Sequence, residues 1–340
     1  MDLGVYMPTH GMLRVDEERN NYSLQPIDLT EVNPIAFAKE AEVRGFHSAW
    51  FPDHVVMGRT PGTNYPATES GKASYRSRPM MMDAIPVMSA VAVSTTDLKL
   101  ATSVHIMPYR HPLVSAHQFA AVDFLSNGRL MVGVGIGWEE AEFTALNADY
   151  RNRGAVTEEG IEVMKAAWTN DFVEYSGEYF SVHEVSFDPK PTQKPRPPIY
   201  YGATTVVGAR RAARVADGLY MAAFLDPFPS GNIRPAQDAV LREAERIDRD
   251  LSDFWWGTVA SAHACAPGAP SSQNSRRPVL TGSACQILDE LQHFADRGFE
   301  HVTCHLSIGS NSPEELYDQL AQWGEDIIPY AKEIAKKPIQ

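Results

Sequence analysis

At 340 residues, 44% of them hydrophobic and 21% charged, the chain has the composition of a globular protein, long enough for one large α/β domain or two ordinary ones. A formal net charge of -13, with Arg210, Arg211 and Arg214 as the one small basic group, argues against nucleic acid or an anionic membrane as partner. Cys265, Cys285 and Cys304 form no CxxC pair and no zinc spacing, and no run of 18 apolar residues occurs, so a reduced, cytoplasmic setting without disulfides or membrane spans is expected. The start, MDLGVYMP, lacks the charged and apolar regions of a signal peptide and reads as a strand.

From that strand, at about 2–8, the elements alternate. Asn33-Pro34 supplies a cap and a first-turn proline for a helix at about 33–45. A strand at about 47–52, a long loop and a helix at about 81–95 follow. A strand at about 98–107 precedes a helix at about 113–126, ended by Asn127-Gly128 as a left-handed cap. A strand at about 130–135 leads into helices at about 139–147 and 155–169, the latter striped by Ile161, Met164 and Trp168. VEYSGEYFSV reads as a hairpin turning at Ser176-Gly177, within an insertion at 172–191. Strands at about 198–202, 218–224, 255–263 and 301–307 then alternate with helices at about 205–216, 233–250, 283–297 and a last one opened by Ser312, Pro313 and Glu315. Ser283 and Gln286 have capping-box spacing, and Leu316, Leu320, Trp323 and Ile327 stripe the final helix.

Eight strands each followed by a helix predict parallel pairing and closure into a single α/β domain, a (β/α)8 TIM barrel over residues 1–340. The competing arrangement, a doubly wound open sheet, usually has fewer units and a glycine fingerprint after strand one; here PTHGMLRV stands in that place. Insertions at 54–80 and 266–280 follow strands two and seven, at the end of a barrel where active sites lie, and are candidate lids.

Polar residues at the C-terminal strand ends are therefore the ones to weigh. Strand one ends with Thr9 and His10, and strand two with Asp53-His54, the best acid–base candidates, since histidine titrates near neutrality. In LKLATSVHIMPYRHP, residues 98–112, Leu98, Leu100, Val104 and Ile106 fall at alternate positions, which leaves Ser103 and His105 on the other face, and the stretch ends in Tyr109, Arg110 and His111. Such a strand either pairs at a surface or forms a wall of an active site. In GVGIGW, Gly133, Gly135 and Gly137 alternate, leaving room on an interior face for something flat or for close strand packing. Trp138 then stacks on a ring or belongs to the core. Gly202, Ala203, Thr204 and Thr205 open a helix after strand five, a place for a phosphate or a plain cap. The scattered histidines lack HxH and nearby acids at ligand spacing, so no metal is expected. Tyr65, Met107, Tyr109 and Trp138 would make an apolar mouth.

Four stretches together resemble the luciferase-like monooxygenase superfamily, in particular its coenzyme F420-dependent oxidoreductase branch: SAWFPDHV at 48–55, the long block at 102–143, FDPKPTQKPRPPIYYGATT at 187–205 and RRAARVADG at 210–218. The resemblance covers roughly 1–225. It implies a barrel holding a flavin or deazaflavin in its C-terminal mouth, with Ser103, Val104 and His105 on a wall carrying a cis peptide or bulge under the ring. Gly135, Ile136, Gly137 and Trp138 would lie beside it, and Gly202 to Thr205 would hold the cofactor phosphate. It also implies that His54 is an active-site acid–base group or substrate contact; Asp53 beside it, and His10, Tyr65 and Tyr109 as substrate contacts, are expected from their places at strand ends and at the mouth. Two departures stand out. Gly202-Ala203 replaces a glycine pair, and Trp138 then Glu139 stand where the sugar-phosphate dehydrogenase branch has its acid, so that activity is not carried over. The expected function is F420-dependent hydride exchange with a small, hydrophobic organic substrate, in a homodimer. The alternatives are an FMN-dependent monooxygenase, using O2 and a separate reductase, and a flavin-binding barrel without turnover.

Overall fold

The computed structural model describes residues 1–9, 12–16, 21–25, 31–59, 80–222, 233–265, 279–307, 310 and 312–339. His10, Tyr65 and most of both candidate lids lie outside them. Eight parallel strands close on themselves: β1 (Asp2–Tyr6), β2 (Ser48–Phe51), β3 (Lys99–Thr102, resuming at His105–Ile106), β4 (Leu130–Gly135), β5 (Ile199–Gly202), β6 (Gly218–Ala222), β7 (Trp255–Ser261) and β8 (His301–His305). β8 pairs with β1, and β4 with β5, which completes the ring as the alternation predicts. An open doubly wound sheet would leave two edges.

Helices α1 (Pro34–Val43), α2 (Ala84–Ser94), α3 (Pro112–Leu125), α4 (Glu140–Ala145), α5 (Arg153–Thr169), α6 (Val206–Val215), α7 (Ile233–Arg246), α8 (Ala284–Asp296), α9 (Pro313–Asp326) and α10 (Ile328–Ala331) surround the strands. Their ends follow local chemistry. The Asn33 side chain accepts from the amides of Ile35 and Ala36, Ser283 and Gln286 close a reciprocal capping box, and Asn127 and Gly128 turn at φ 54° and 81° after α3. Among the described residues no helix is long and apolar enough to cross a membrane.

Two excursions decorate the frame. Residues Met12–Asp16 and Asn21–Gln25 pair as an antiparallel hairpin after β1, an element the alternation did not reveal. Phe172–Ser176 and Ser181–Ser186 form the expected hairpin after α5, but its connection spans Gly177 to Phe180 rather than two residues. The Glu159 carboxylate on α5 explains this, because it accepts the amides of Glu178, Tyr179 and Phe180 and pins the turn down.

Two cores result. The larger lies between strands and helices. The smaller fills the barrel with Trp50, Ala101, Met131, Tyr200, Tyr220 and Val259, packed by Tyr6, Val104, Ala222 and Trp255. Tyr6, Val104 and Ala222 stand at C-terminal strand ends and are half-buried, so they form an apolar floor for the barrel mouth.

Candidate active site

Strand β2 delivers Asp53 and His54 to the mouth, and the chain sends them opposite ways. Asp53 is buried. Its carboxylate receives Arg110 Nη1 and Nη2 at 2.7 and 2.8 Å and the Ile106 amide at 3.0 Å, with His105 Nδ1 at 3.3 Å. Burial pushes the carboxyl up, but His105 and Arg110 outweigh it and hold it well below the usual carboxylate range. Asp53 is thus ionised near neutral pH and braces β2 against the end of β3. That corrects its expected place as an acid–base partner of His54.

His54 has another partner. Its Nδ1 lies 2.8 Å from Oε2 of Glu142 on α4, with side-chain exposures of 12% and 0%. Glu142 also accepts the Tyr109 hydroxyl at 2.7 Å and the amides of Val55 and Val56 at 2.6 and 3.2 Å. Burial pushes Glu142 up, yet His54, Val55 and Tyr109 together keep it below the usual range. A carboxylate can only accept, so the proton of the His54 contact sits on Nδ1 and Nε2 is the nitrogen suited to a substrate proton. Burial and Glu142 push the Tyr109 phenol up, so Tyr109 stays a neutral donor. Trp138 meets the His54 ring edge-on at 6.0 Å. Sequence reading missed Glu142, one of three glutamates in GWEEAEF, because α4 is too short for its spacing to show which one turns inward.

The β3 wall departs from the alternation. Ala101 pairs with Met131, but His105 pairs with Val134, so β3 uses four steps where β4 uses three. One extra residue reverses every later side chain. His105 therefore points away from the mouth, 2.9 Å from Ser115 Oγ and edge-on to Phe119 of α3, which corrects its expected role under a ring. The Ser103–Val104 peptide is cis. Ser103 and Val104 both join the interior, Ser103 Oγ lying 3.1 Å from the Tyr220 hydroxyl.

The glycines of β4 and β5 serve this wall. A β-carbon on Gly135 would stand 2.3 Å from Val104 Cγ2, one on Gly202 2.8 Å from Val104 Cγ1, and one on Gly133 2.0 Å from the Thr102 carbonyl oxygen. The room they leave is filled by Val104 and by close strand packing, so Gly135 makes space for the wall and not for a cofactor directly. Ile136 packs into the outer core. Gly137 turns at φ 75° with its carbonyl accepting from Arg153, which leaves Trp138 at the mouth. Met107 is buried in the outer core, its side chain against Gly160, and is no part of the mouth.

Gly202, Ala203 and Thr204 are half-buried at the start of α6. Thr205 accepts from the Gly208 amide at 3.1 Å, so its hydroxyl is committed to the helix cap. The mouth therefore joins an apolar floor, a half-buried Ser103 hydroxyl, a helix start suited to an anion and a His54–Glu142 pair. These residues fit a flat ring with a phosphorylated tail.

The profile of a family described as luciferase-like monooxygenase matches residues 1–273. An F420-dependent glucose-6-phosphate dehydrogenase of Amycolatopsis mediterranei is 25% identical over 356 aligned positions, covering 94% of this chain and 98% of that one. The fold is shared with the monooxygenase RslO1 of Streptomyces bottropensis, at TM-score 0.72 and 19% identity over 97% of this chain and 99% of that one. It is shared equally with an F420-dependent secondary alcohol dehydrogenase solved with an F420–acetone adduct, at TM-score 0.71 and 17% identity over 97% and 98%.

Proposed function

This chain belongs to the luciferase-like monooxygenase family, and we propose that it is a coenzyme F420-dependent oxidoreductase acting on a small, apolar alcohol or carbonyl compound. The observation that carries this reading is the 2.8 Å contact between His54 and Glu142 at the mouth. Each hydride moved to or from a carbon bearing oxygen requires one proton to move on that oxygen. His54, its Nδ1 proton held by Glu142, takes or returns that proton through Nε2.

Bound in the mouth, the deazaflavin would accept or donate the hydride. Ser103, Val104, Tyr6 and Ala222 would carry its ring, and Gly202, Ala203, Thr204 and the first amides of α6 its phosphate. Trp138 and Tyr109 would shape an apolar substrate space beside His54. Likeness over nearly the whole length of an F420-dependent dehydrogenase supports the cofactor. Trp138 beside His54 favours an apolar substrate over a sugar phosphate. In this reading the working form is a cytoplasmic homodimer, and no separate reductase is required.

The deciding experiment is titration of the purified protein with coenzyme F420 and with FMN, followed by absorbance and fluorescence. Tight F420 binding with weak FMN binding is expected. Tight FMN binding with no F420 binding would overturn the reading in favour of an FMN-dependent monooxygenase supplied by a reductase.

A further inference from the structure

Below the mouth, a line of polar side chains runs down the barrel that the proton chemistry of His54 does not use. Ser103 Oγ lies 3.1 Å from the Tyr220 hydroxyl. That hydroxyl also feels the Thr303 side chain electrostatically, and Thr303 Oγ1 lies 3.2 Å from His301 Nε2. Tyr220, Thr303 and His301 are buried, and only Ser103, at the top, is half-buried.

The Tyr220 ring is fixed independently of this line. It stacks on Trp50 at 4.4 Å and 10°, and Trp50 Nε1 donates to Ser48 Oγ at 2.8 Å. Gly4 permits the arrangement, since a β-carbon there would stand 2.6 to 2.8 Å from Trp50 Nε1, Ser48 Oγ and His301 Nε2. Burial pushes the Tyr220 phenol up, so it stays protonated, able both to donate and to accept. A serine hydroxyl rotates freely unless a partner sets it. Here the partner is rigid, its ring fixed by the stack on Trp50.

We infer that Tyr220 is a positioning residue that acts through Ser103, setting the direction of the hydroxyl presented to the ring of the bound cofactor. This rests on the cofactor reading above. A tyrosine on β6 would thereby tune the binding and electronic environment of a ring lying against β3, without touching it.

The test is a double-mutant cycle on cofactor binding, with coenzyme F420 as probe and FMN as control, in the intact protein. Tyr220→Phe keeps the stack on Trp50 and removes the oxygen. Tyr220→Phe and Ser103→Ala should each weaken F420 binding about five- to tenfold, the effect of one neutral hydrogen bond, and each should shift the absorbance of the bound cofactor. The double variant should bind no more weakly than Ser103→Ala alone. Additive losses, or a Tyr220→Phe protein with wild-type affinity and spectrum, would overturn the inference. If Tyr220→Phe fails to fold, Thr303→Val serves instead. It leaves the stack in place and should shift the bound spectrum in the same direction, and an unchanged spectrum overturns the inference. Wild-type protein that binds neither F420 nor FMN would sink the cofactor reading itself, and the inference with it.

Discussion

The Nδ1 of His54 and the Oε2 of Glu142, 88 positions apart in the chain, meet at 2.8 Å where β2 and α4 come together at the barrel mouth. Glu142 also gathers Tyr109 and the amides of Val55 and Val56, so one buried carboxylate orients the histidine and the turn that carries it. The acid–base chemistry depends on both members.

Replacing His54 by alanine removes the proton acceptor while leaving the apolar floor intact. Turnover, followed by the deazaflavin absorbance, should fall about 10²- to 10⁴-fold, the usual share of general acid–base catalysis. F420 affinity should stay within a few-fold of wild type. Persistent turnover with a normally bound cofactor would remove His54 from the chemistry.

Glu142→Gln is a subtler change. Its amide oxygen can still accept from Val55, but its NH2 then faces the Tyr109 hydroxyl or His54 Nδ1. An Nδ1 that must accept moves the ring proton to Nε2, the wrong tautomer for a base. Turnover should drop by about 10²-fold or more, with the melting temperature lowered only slightly. Wild-type turnover in this variant would show that Glu142 does not set the tautomer.

Gly135→Ala places a methyl where Val104 already stands. Overpacking of this kind costs about 1–3 kcal/mol, and pushing Val104 toward the mouth should weaken F420 binding. Adding Val104→Ala should recover part of both losses. Denaturant melts and F420 titration of the single and double variants provide the check, and absence of any recovery would refute the Val104–Gly135 relationship.

Asp53 provides a pH signature. Its carboxyl is depressed in the fold, so its contribution is complete above the ordinary carboxylate range near pH ~4 and is lost as pH falls through the lower folded value. Asp53→Asn deprives the half-buried Arg110 of its bidentate partner, leaving only the more distant Asp83 carboxylate at 3.8 Å, and should cost about 1–3 kcal/mol at pH 7. The variant should also lose less stability than wild type on acidification from pH 7 to 3. Equal acid slopes in urea melts would contradict the brace role.

What the residues alone determined was local or periodic. The alternation of strands and helices, the Asn33 and Ser283 caps, the Asn127-Gly128 stop and the stripes on α5 and α9 arise from backbone chemistry and hydrophobic spacing within a few residues, and eight repeats of the unit dictate the closed barrel. His54 and Trp138 could be pointed to because strand ends are where a barrel exposes side chains, and Ser103 and Val104 through the resemblance of their stretch to the family. Only the tertiary structure decided which way they face and what they touch. One extra residue in β3 turns His105 outward, a change invisible in a hydrophobic pattern because a one-residue slip preserves the composition of the strand. Asp53 became a brace when Arg110 reached it, Val104 took the space beside Gly135, and Glu142 and Tyr220 joined the site from elements far along the chain. These are contacts between distant segments, fixed by register and packing, and no short stretch of sequence contains them.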